Sequence, residues 1–166
     1  GGVDDRLDAL ELLGRGFELH MRGELVQAVI LYSQAMDASP LPQALVHRAW
    51  ALAHLGDLSG AIRDCMAAIE LDPRLGMAYC DLGAYLLELG QPDDALPWLN
   101  VAARASAPVG LPVCQFNLGR AWEIKGDARR ARHHYLMALA VRPGYVHAAQ
   151  AVARLSGIPM DVGSNR

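Results

Sequence analysis

Apolar residues recur at helical spacing between short polar turns along most of this chain. The segment LGDLSGAIRDCMAAIELDP, residues 55–73, shows the pattern clearly. Gly56 suits the left-handed conformation that ends a helix, and Asp57 is a good N-cap because its carboxylate can accept free backbone N–H groups. The apolar stripe that follows consists of Leu58, Ala61, Ile62, Cys65, Ala68 and Ile69. Since Pro73 cannot continue a helix, the spacing predicts one helix that ends just before it.

The same pattern occurs four times along the chain. The turn glycines are separated by 33, 34 and 36 residues, and they are Gly23, Gly56, Gly90 and Gly126. The alanines five residues further on keep the same steps, and they are Ala28, Ala61, Ala95 and Ala131. A second apolar helix pattern precedes each turn and contains a small residue: Gly16, Ala49, Gly83 and Gly119. These spacings predict an internal repeat in which each unit is a pair of helices.

Small residues at equivalent positions let the two helices of a pair approach closely, and larger apolar residues fill the space between pairs. A single pair cannot bury its apolar face, so the pairs must stack into an all-α fold. The predicted pairs span residues 9–41, 42–75, 76–111 and 112–143.

The two ends of the chain are predicted to differ from the repeats. Residues 144–156 are expected to form a capping helix that covers the fourth pair, including Leu136 and Leu139. Residues 157–166 are expected to be a flexible tail. Residues 1–8 are interpreted as an N-terminal extension, with Gly1-Gly2 as a cloning remnant.

The repeats resemble the tetratricopeptide repeat. The resemblance covers about Ala9 to Pro143, and it is strongest in ALVHRAWALAHLGDLSGAIRDCMAAIELDP and GMAYCDLGAYLLELGQPDDALPWLNVAARA. It implies a right-handed alpha-alpha superhelix, or solenoid, of stacked antiparallel hairpins whose concave face is lined by the first helix of each repeat. It also implies an adaptor or assembly factor that binds a peptide or protein segment in that groove and has no catalysis of its own.

One subclass of the family, the co-chaperone clamp, holds the C-terminal carboxylate of heat-shock chaperones with Lys, Asn and Arg side chains. At the five matching positions this sequence has Leu13, Phe17, His47, Met77 and Asp81. None of these is the clamp residue, and Asp81 has a negative charge where the clamp requires a positive one. The clamp function is therefore not expected here.

The groove positions instead have an apolar lining with aromatic side chains and a few polar groups. The candidate peptide-binding residues are Leu13, Phe17, His47, Trp50, Met77, Asp81, Phe116, Asn117 and Arg120, with Val46 and Cys80 beside them. We predict that Trp50 and Phe116 are the main apolar anchors. Asn117 and Arg120 lie three residues apart on one helix, so both can meet one acidic or carbonyl group of a ligand. The alternative is that several of these side chains pack against neighbouring helices.

Charge is unevenly divided along the chain. Residues 1–111 contain 7 Lys or Arg and 15 Asp or Glu, a net charge of −8, whereas residues 112–166 contain 8 and 3, a net charge of +5. This division indicates a second class of function, a self-assembling structural scaffold in which the acidic part of one copy meets the basic part of another.

Other chemistry is not supported by the sequence. His133 and His134 point about 100° apart on a helix, so their rings do not readily share a metal. With Arg129, Arg130 and Arg132 they are interpreted as a solvated basic face. There is no glycine-rich phosphate loop, HExxH or GxSxG. We expect no enzyme activity, cofactor, metal or nucleic-acid partner.

The cysteines Cys65, Cys80 and Cys114 form no CxxC pair and are expected to be buried thiols in a reducing compartment. No apolar run approaches the roughly 20 residues of a membrane span. A cytoplasmic location is therefore expected.

Arg48 lies among apolar neighbours in the first helix of the second pair, and the facing position in the second helix is Asp64. We predict that these two side chains form an ion pair that is at least partly shielded from water.

Overall fold

The chain folds into consecutive α-helices. The computed structural model describes residues 2–105 and 112–157, and the regular structure of these residues is helical. The helices are α1 (Gly2–Met21), α2 (Leu25–Ala38), α3 (Pro42–His54), α4 (Leu58–Leu71), α5 (Gly76–Glu88), α6 (Pro92–Ala105), α7 (Pro112–Ile124), α8 (Ala128–Val141) and α9 (Val146–Leu155). They belong to two compact units, unit one (Gly1–Tyr85) and unit two (Leu86–Arg166).

The turns within the helix pairs lie at the predicted glycines. Gly23, Gly56, Gly90 and Gly126 have φ angles of 81°, 88°, 74° and 84°. Glycine adopts these values at little cost because it has no Cβ. Asp57 caps α4 as predicted, since its Oδ1 accepts a hydrogen bond from the Gly60 N–H at 2.8 Å. Asp127 caps α8 in the same way through the Arg130 N–H at 3.0 Å.

Unit one contains the hairpins α1–α2 and α3–α4 and most of α5, and α2 also packs against α3. The repeated alanines Ala28 and Ala61 are fully buried here, and so are Ala35 and Ala68, seven residues after each of them. Tyr32 is also fully buried, in a cluster with Ala28 and Ala51 that joins the two hairpins. Residues 2–8, which the repeat pattern leaves outside the first pair, form the first turns of α1.

The predicted ion pair between Arg48 and Asp64 is confirmed. The Arg48 Nε and Nη2 atoms donate to Asp64 Oδ2 and Oδ1, both at 2.7 Å. The Arg48 Nη1 atom also donates to the Ser33 hydroxyl at 3.1 Å, so this guanidinium links α3 with both α4 and α2. Asp64 is buried, and the ion pair joins α3 to α4 within the second hairpin, whereas the hydrogen bond to Ser33 links that hairpin to the first.

Unit two contains the α7–α8 hairpin, with α6 packed on α7 and α9 packed on α8. Ala151 of α9 lies in one cluster with Ala131 and Tyr135 of α8. Glu123 of α7 links this helix to α8 and α9. Its carboxylate accepts a hydrogen bond from the Tyr135 hydroxyl of α8 at 2.7 Å and another from Arg154 Nη2 of α9 at 2.6 Å.

The side chains that α9 covers differ in part from those expected. Leu136 is 39% exposed, so the expectation that the last helix covers it is wrong. Adjacent residues on a helix point about 100° apart, and it is Tyr135, 1% exposed, that faces α9.

Gly119 allows the Tyr135 ring to pack directly on α7. A Cβ atom at position 119 would lie 2.5 Å from Cε1 of that buried ring. We expect Gly119→Ala to lower the free energy of unfolding by about 1–3 kcal/mol, because overpacking outweighs the gain in helix propensity of about 1 kcal/mol. Urea unfolding followed by circular dichroism measures this difference.

Gly14→Ala is the matched control for this substitution. Gly14 also lies inside a helix, α1, but a Cβ there would meet no atom within 4 Å. The propensity gain then acts alone, so we expect stabilisation of up to about 1 kcal/mol. Equal stability of the two variants would show that contact with Tyr135 does not require glycine at position 119.

The cysteines agree only in part with the sequence prediction. Cys65 is a buried free thiol, and its pKa is raised by burial and then by the nearby carboxylates of Asp81 and Asp64. Cys80 and Cys114 are disulfide-bonded, so the expectation of a free thiol is wrong for both. A cytoplasmic location stays a prediction. Within residues 2–105 and 112–157, no helix is both long and apolar enough to cross a membrane.

Candidate functional site

A cavity of about 360 Å³ opens in unit one where the first helices of the repeats meet. Its lining residues come from α1, α3 and α5, and they are Phe17, Val46, His47, Trp50, Met77 and Asp81. We call this cavity the unit-one groove. The structure thus brings together five of the nine candidate binding residues, together with the neighbouring Val46.

The groove leaves large apolar side chains in contact with solvent. Phe17 is 41% exposed, Trp50 is 36% exposed and Met77 is 39% exposed. The first helices present these side chains on one face: Trp50 lies 33 residues after Phe17, at the equivalent position of the next repeat, whereas Met77 lies seven residues, about two turns, before the position equivalent to Trp50. Single exposed apolar residues are common on protein surfaces, and here three of them line one cavity.

The rings of two histidines, His20 and His54, pack against the Trp50 ring. The Trp50 ring centroid lies 4.2 Å from that of His20 and 5.4 Å from that of His54. Across the groove, the rings of Phe17 and His47 are 5.8 Å apart. The indole is therefore partly packed between the first two repeats and partly open, which combines the two alternatives considered for this residue.

His20 was missed by the sequence analysis, although it supports the groove. It is 4% exposed, its Nδ1 lies 3.3 Å from the Tyr32 hydroxyl, and its Nε2 lies 3.0 Å from Nδ1 of His54. Burial and then the charge of His54 lower the pKa of His20, so its imidazole is neutral at pH 7. His20 and His54 are 34 residues apart, close to the repeat period, and this spacing was the signal that predicts the pair.

His47 is likewise uncharged at neutral pH. Burial lowers its pKa, and the nearby His20 lowers it further. Among the described residues that line the groove, Asp81 is the one with an acidic side chain.

Asp81 stands in this apolar cavity without a counter-ion. None of the side chains that the structure describes forms an ion pair or a hydrogen bond with its carboxyl group. Burial raises the pKa of Asp81 to about 7, because the charged form is poorly solvated there. At neutral pH the group is thus divided between its acid and its carboxylate.

The other four candidate residues lie elsewhere. Leu13 packs against two core clusters of unit one, which contain Ala9 and Ala28. Phe116, Asn117 and Arg120 lie on α7 in unit two.

On α7 the candidate side chains make contacts within unit two. The Phe116 ring centroid lies 5.3 Å from that of Tyr135 and 5.2 Å from that of Tyr145. Asn117 is buried, and its Oδ1 accepts a hydrogen bond from Arg120 Nη1 at 3.3 Å.

In the part of the chain that is described, no group of three or more His, Cys, Asp or Glu side chains is placed to hold a metal ion. His134 Nδ1 instead lies 2.9 Å from Oε1 of Gln115.

Two family models, each described as a tetratricopeptide repeat, match this chain at residues 42–75 and 65–96. Among curated proteins, it is 32% identical over 98 residues to the TPR repeat-containing thioredoxin TTL4 of Arabidopsis thaliana. It is 30% identical over 127 residues to the inactive TPR repeat-containing thioredoxin TTL3 of the same plant. These matches cover 58% and 73% of this chain but only 14% and 18% of the relatives, so the chain spans less than a fifth of their length.

Solved structures share the fold over most of the chain. PilF of Pseudomonas aeruginosa superposes with a TM-score of 0.86 at 18% identity, covering 92% of this chain and 69% of that one. MamA of Desulfovibrio magneticus RS-1 gives 0.76 at 23% identity, covering 90% and 84%. A thermophilic TPR protein of Thermus thermophilus gives 0.77 at 22% identity, covering 89% and 80%. The fold class predicted from the sequence, an all-α solenoid of stacked helix hairpins, is confirmed.

Proposed function

Since this chain is a tetratricopeptide repeat protein, we propose that it is a non-enzymatic interaction module that binds a peptide or protein segment in the unit-one groove. Proteins with these repeats generally act in protein–protein interaction or as scaffolds, without catalysis. The observation that carries the proposal is the cavity in which Phe17, Trp50 and Met77 all remain partly exposed.

The size of the groove indicates how a partner is held. About 360 Å³ is at the lower end of the ~300–1,000 Å³ range of ligand pockets. It therefore takes one or two side chains of a partner, and the rest of the segment lies along the first helices. Burial of apolar surface supplies the affinity, at about 25 cal/mol per Å². Trp50 is the expected anchor because its ring is held in place before binding, so little side-chain freedom is lost.

Peptides selected from a random phage-displayed library on the purified chain provide the test. We expect Trp50→Ala to weaken the affinity of a selected peptide about thirtyfold, the effect of losing about 2 kcal/mol at an aromatic anchor. Met77→Ala is expected to weaken it by a smaller factor of about five. Isothermal titration calorimetry gives the affinities, and the melting temperature of each variant shows whether the fold is retained.

Met66→Ala is the matched control, because Met66 is similarly exposed but lies on α4, away from the groove lining. It should leave affinity unchanged. If Trp50 contributes mainly to stability through its contacts with His20 and His54, Trp50→Ala will have a lowered melting temperature. The affinity of Met77→Ala then shows whether the peptide binds in the groove. Wild-type affinity in both Met77→Ala and a stably folded Trp50→Ala would place the ligand outside this groove.

A second candidate function is a self-assembling scaffold. Arg129, Arg130 and Arg132 are exposed on α8, and Arg129 and Arg130 line a cavity of about 400 Å³ together with Asp127 and His133. This basic face suits the acidic N-terminal part of another copy. Light scattering at low and high salt distinguishes the two functions: growth in mass at low salt that salt reverses favours self-assembly, and a mass independent of salt favours the adaptor.

A further inference from the structure

The Asp81 carboxyl group is the unusual feature of the unit-one groove. It lies on α5 beside Met77, and the remaining lining of the cavity is apolar, aromatic or neutral imidazole. Asp81 is partly exposed, and a carboxylate that is partly removed from water without a counter-ion or a hydrogen-bond donor is costly. None of the described side chains offsets this cost with a positive charge or a hydrogen-bond donor. A ligand that supplies such a group to the Asp81 carboxylate therefore gains affinity.

We propose that the unit-one groove recognises a partner segment with a Lys or Arg side chain next to an apolar residue, the cation pairing with the Asp81 carboxylate. This rests on the proposed function and names the chemistry of its partner. A cationic side chain fits this groove better than a small ion does, because Lys and Arg have apolar stems that pack along surfaces such as Val46 and Met77. The rings of Trp50 and Phe17 offer faces to the cation as well.

The charge of the surroundings supports the same ligand. Residues 1–85 contain 6 Lys or Arg and 12 Asp or Glu, so unit one has a net charge of −6 and attracts a basic segment. Arg48, the cation nearest along α3 to the groove residues, is already paired with Asp64 and does not neutralise Asp81. The negative charge of unit one repels an acidic segment, and a purely apolar segment would cover the Asp81 carboxyl group without supplying a partner for it.

Pairing with a cation stabilises the carboxylate, so binding must be coupled to loss of the Asp81 proton. With a pKa of about 7 in the free protein, Asp81 is mostly protonated at pH 6 and mostly ionised at pH 8. The affinity for a basic peptide should therefore rise about fourfold between pH 6.5 and pH 8. The other groups around the groove are His47 and Arg48 on α3, Asp64 and Cys65 on α4, and His20 and His54 behind Trp50.

The experiment selects random phage-displayed peptides on the wild-type chain and on Asp81→Asn, which keeps every other one of these groups. We expect Lys or Arg beside an apolar residue to be enriched on the wild type and not on Asp81→Asn. For a selected peptide, replacing its basic residue by Gln should cost at least tenfold in affinity to the wild type and little to Asp81→Asn. The dependence on pH should be lost in Asp81→Asn. Asp8→Asn is the control, an exposed carboxyl group on the opposite face of α1 from Phe17.

The outcomes separate this inference from the proposed function. Selected peptides that need Trp50 or Met77 but show no basic residue, or that bind Asp81→Asn as well as the wild type, overturn the inference and leave the function standing. Peptides that need none of the three residues, or a failure to select any, contradict both. A concentration-dependent rise in mass that Asp81→Asn abolishes would make a second copy the occupant and would also overturn the inference.

Discussion

Replacing Asp64 by alanine is expected to lower the free energy of unfolding by about 3 kcal/mol. Removing one partner of a buried pair leaves the other charge uncompensated, at a cost of about 3–5 kcal/mol. The lower end applies because the Arg48 side chain is 26% exposed and can be partly solvated. Urea unfolding at equilibrium measures the change.

Two further variants are the controls for the Asp64→Ala measurement. Asp93→Ala removes the partner of Lys125 in a pair whose carboxylate side is 79% exposed, and it should cost no more than about 1 kcal/mol. The double replacement Arg48→Met with Asp64→Leu should recover most of the stability, because no buried charge remains. A loss in Asp64→Ala as small as that in Asp93→Ala would mean that the shielded pair adds nothing to the hairpin.

Ala151→Arg is expected to detach α9 from the α7–α8 hairpin. Ala151 is 3% exposed and packs with Tyr135 and Ala131, so an arginine there has neither room nor a partner for its charge. The cost cannot exceed the free energy with which α9 docks, because the helix can undock instead. We expect a loss of about 3 kcal/mol and a broader unfolding transition. Proteolysis within α9 should become faster.

Ala149→Arg is the control on the same helix. Ala149 is exposed and two positions away, so the same new charge points into solvent and should change stability by less than about 0.5 kcal/mol. If both variants melt like the wild type, α9 does not contribute to the stability of unit two. Deleting residues 144–166 provides an independent comparison, since it should reproduce the effect of Ala151→Arg.

The fold follows closely from the sequence because each element depends on local and periodic signals. Glycines with positive φ, an aspartate cap such as Asp57 and prolines after the second helices set the ends of the helices. Once one helix pair is recognised, the repeat period predicts where the other pairs lie. The pairing of two helices within a repeat then places Arg48 opposite Asp64. The disulfide bonding of Cys80 and Cys114 could not be predicted in this way, because a disulfide depends on distances and angles that the spacing of residues along the chain does not specify.

The candidate site could be predicted only where the repeat leaves side chains exposed. The register puts Phe17, His47, Trp50, Met77 and Asp81 on one face, and the structure joins them in one groove. Phe116 was predicted on the same groove face, but its ring lies next to that of Tyr135 on α8 of the same pair and next to that of Tyr145, the residue before α9, which is outside the repeat. Whether a face is open therefore depends on neighbours that periodicity does not specify.

The most direct test of the central claim is an NMR titration of the chain labelled with ¹³C at its methionine methyl groups. The chain has six methionines, and Met77 lines the unit-one groove whereas Met66 lies on α4 outside it. On addition of a selected peptide, the Met77 methyl resonance should shift until the peptide is in excess, and the Met66 resonance should stay in place. Saturable binding that leaves Met77 unchanged while Met66 or Met137 shifts would contradict a ligand site in this groove.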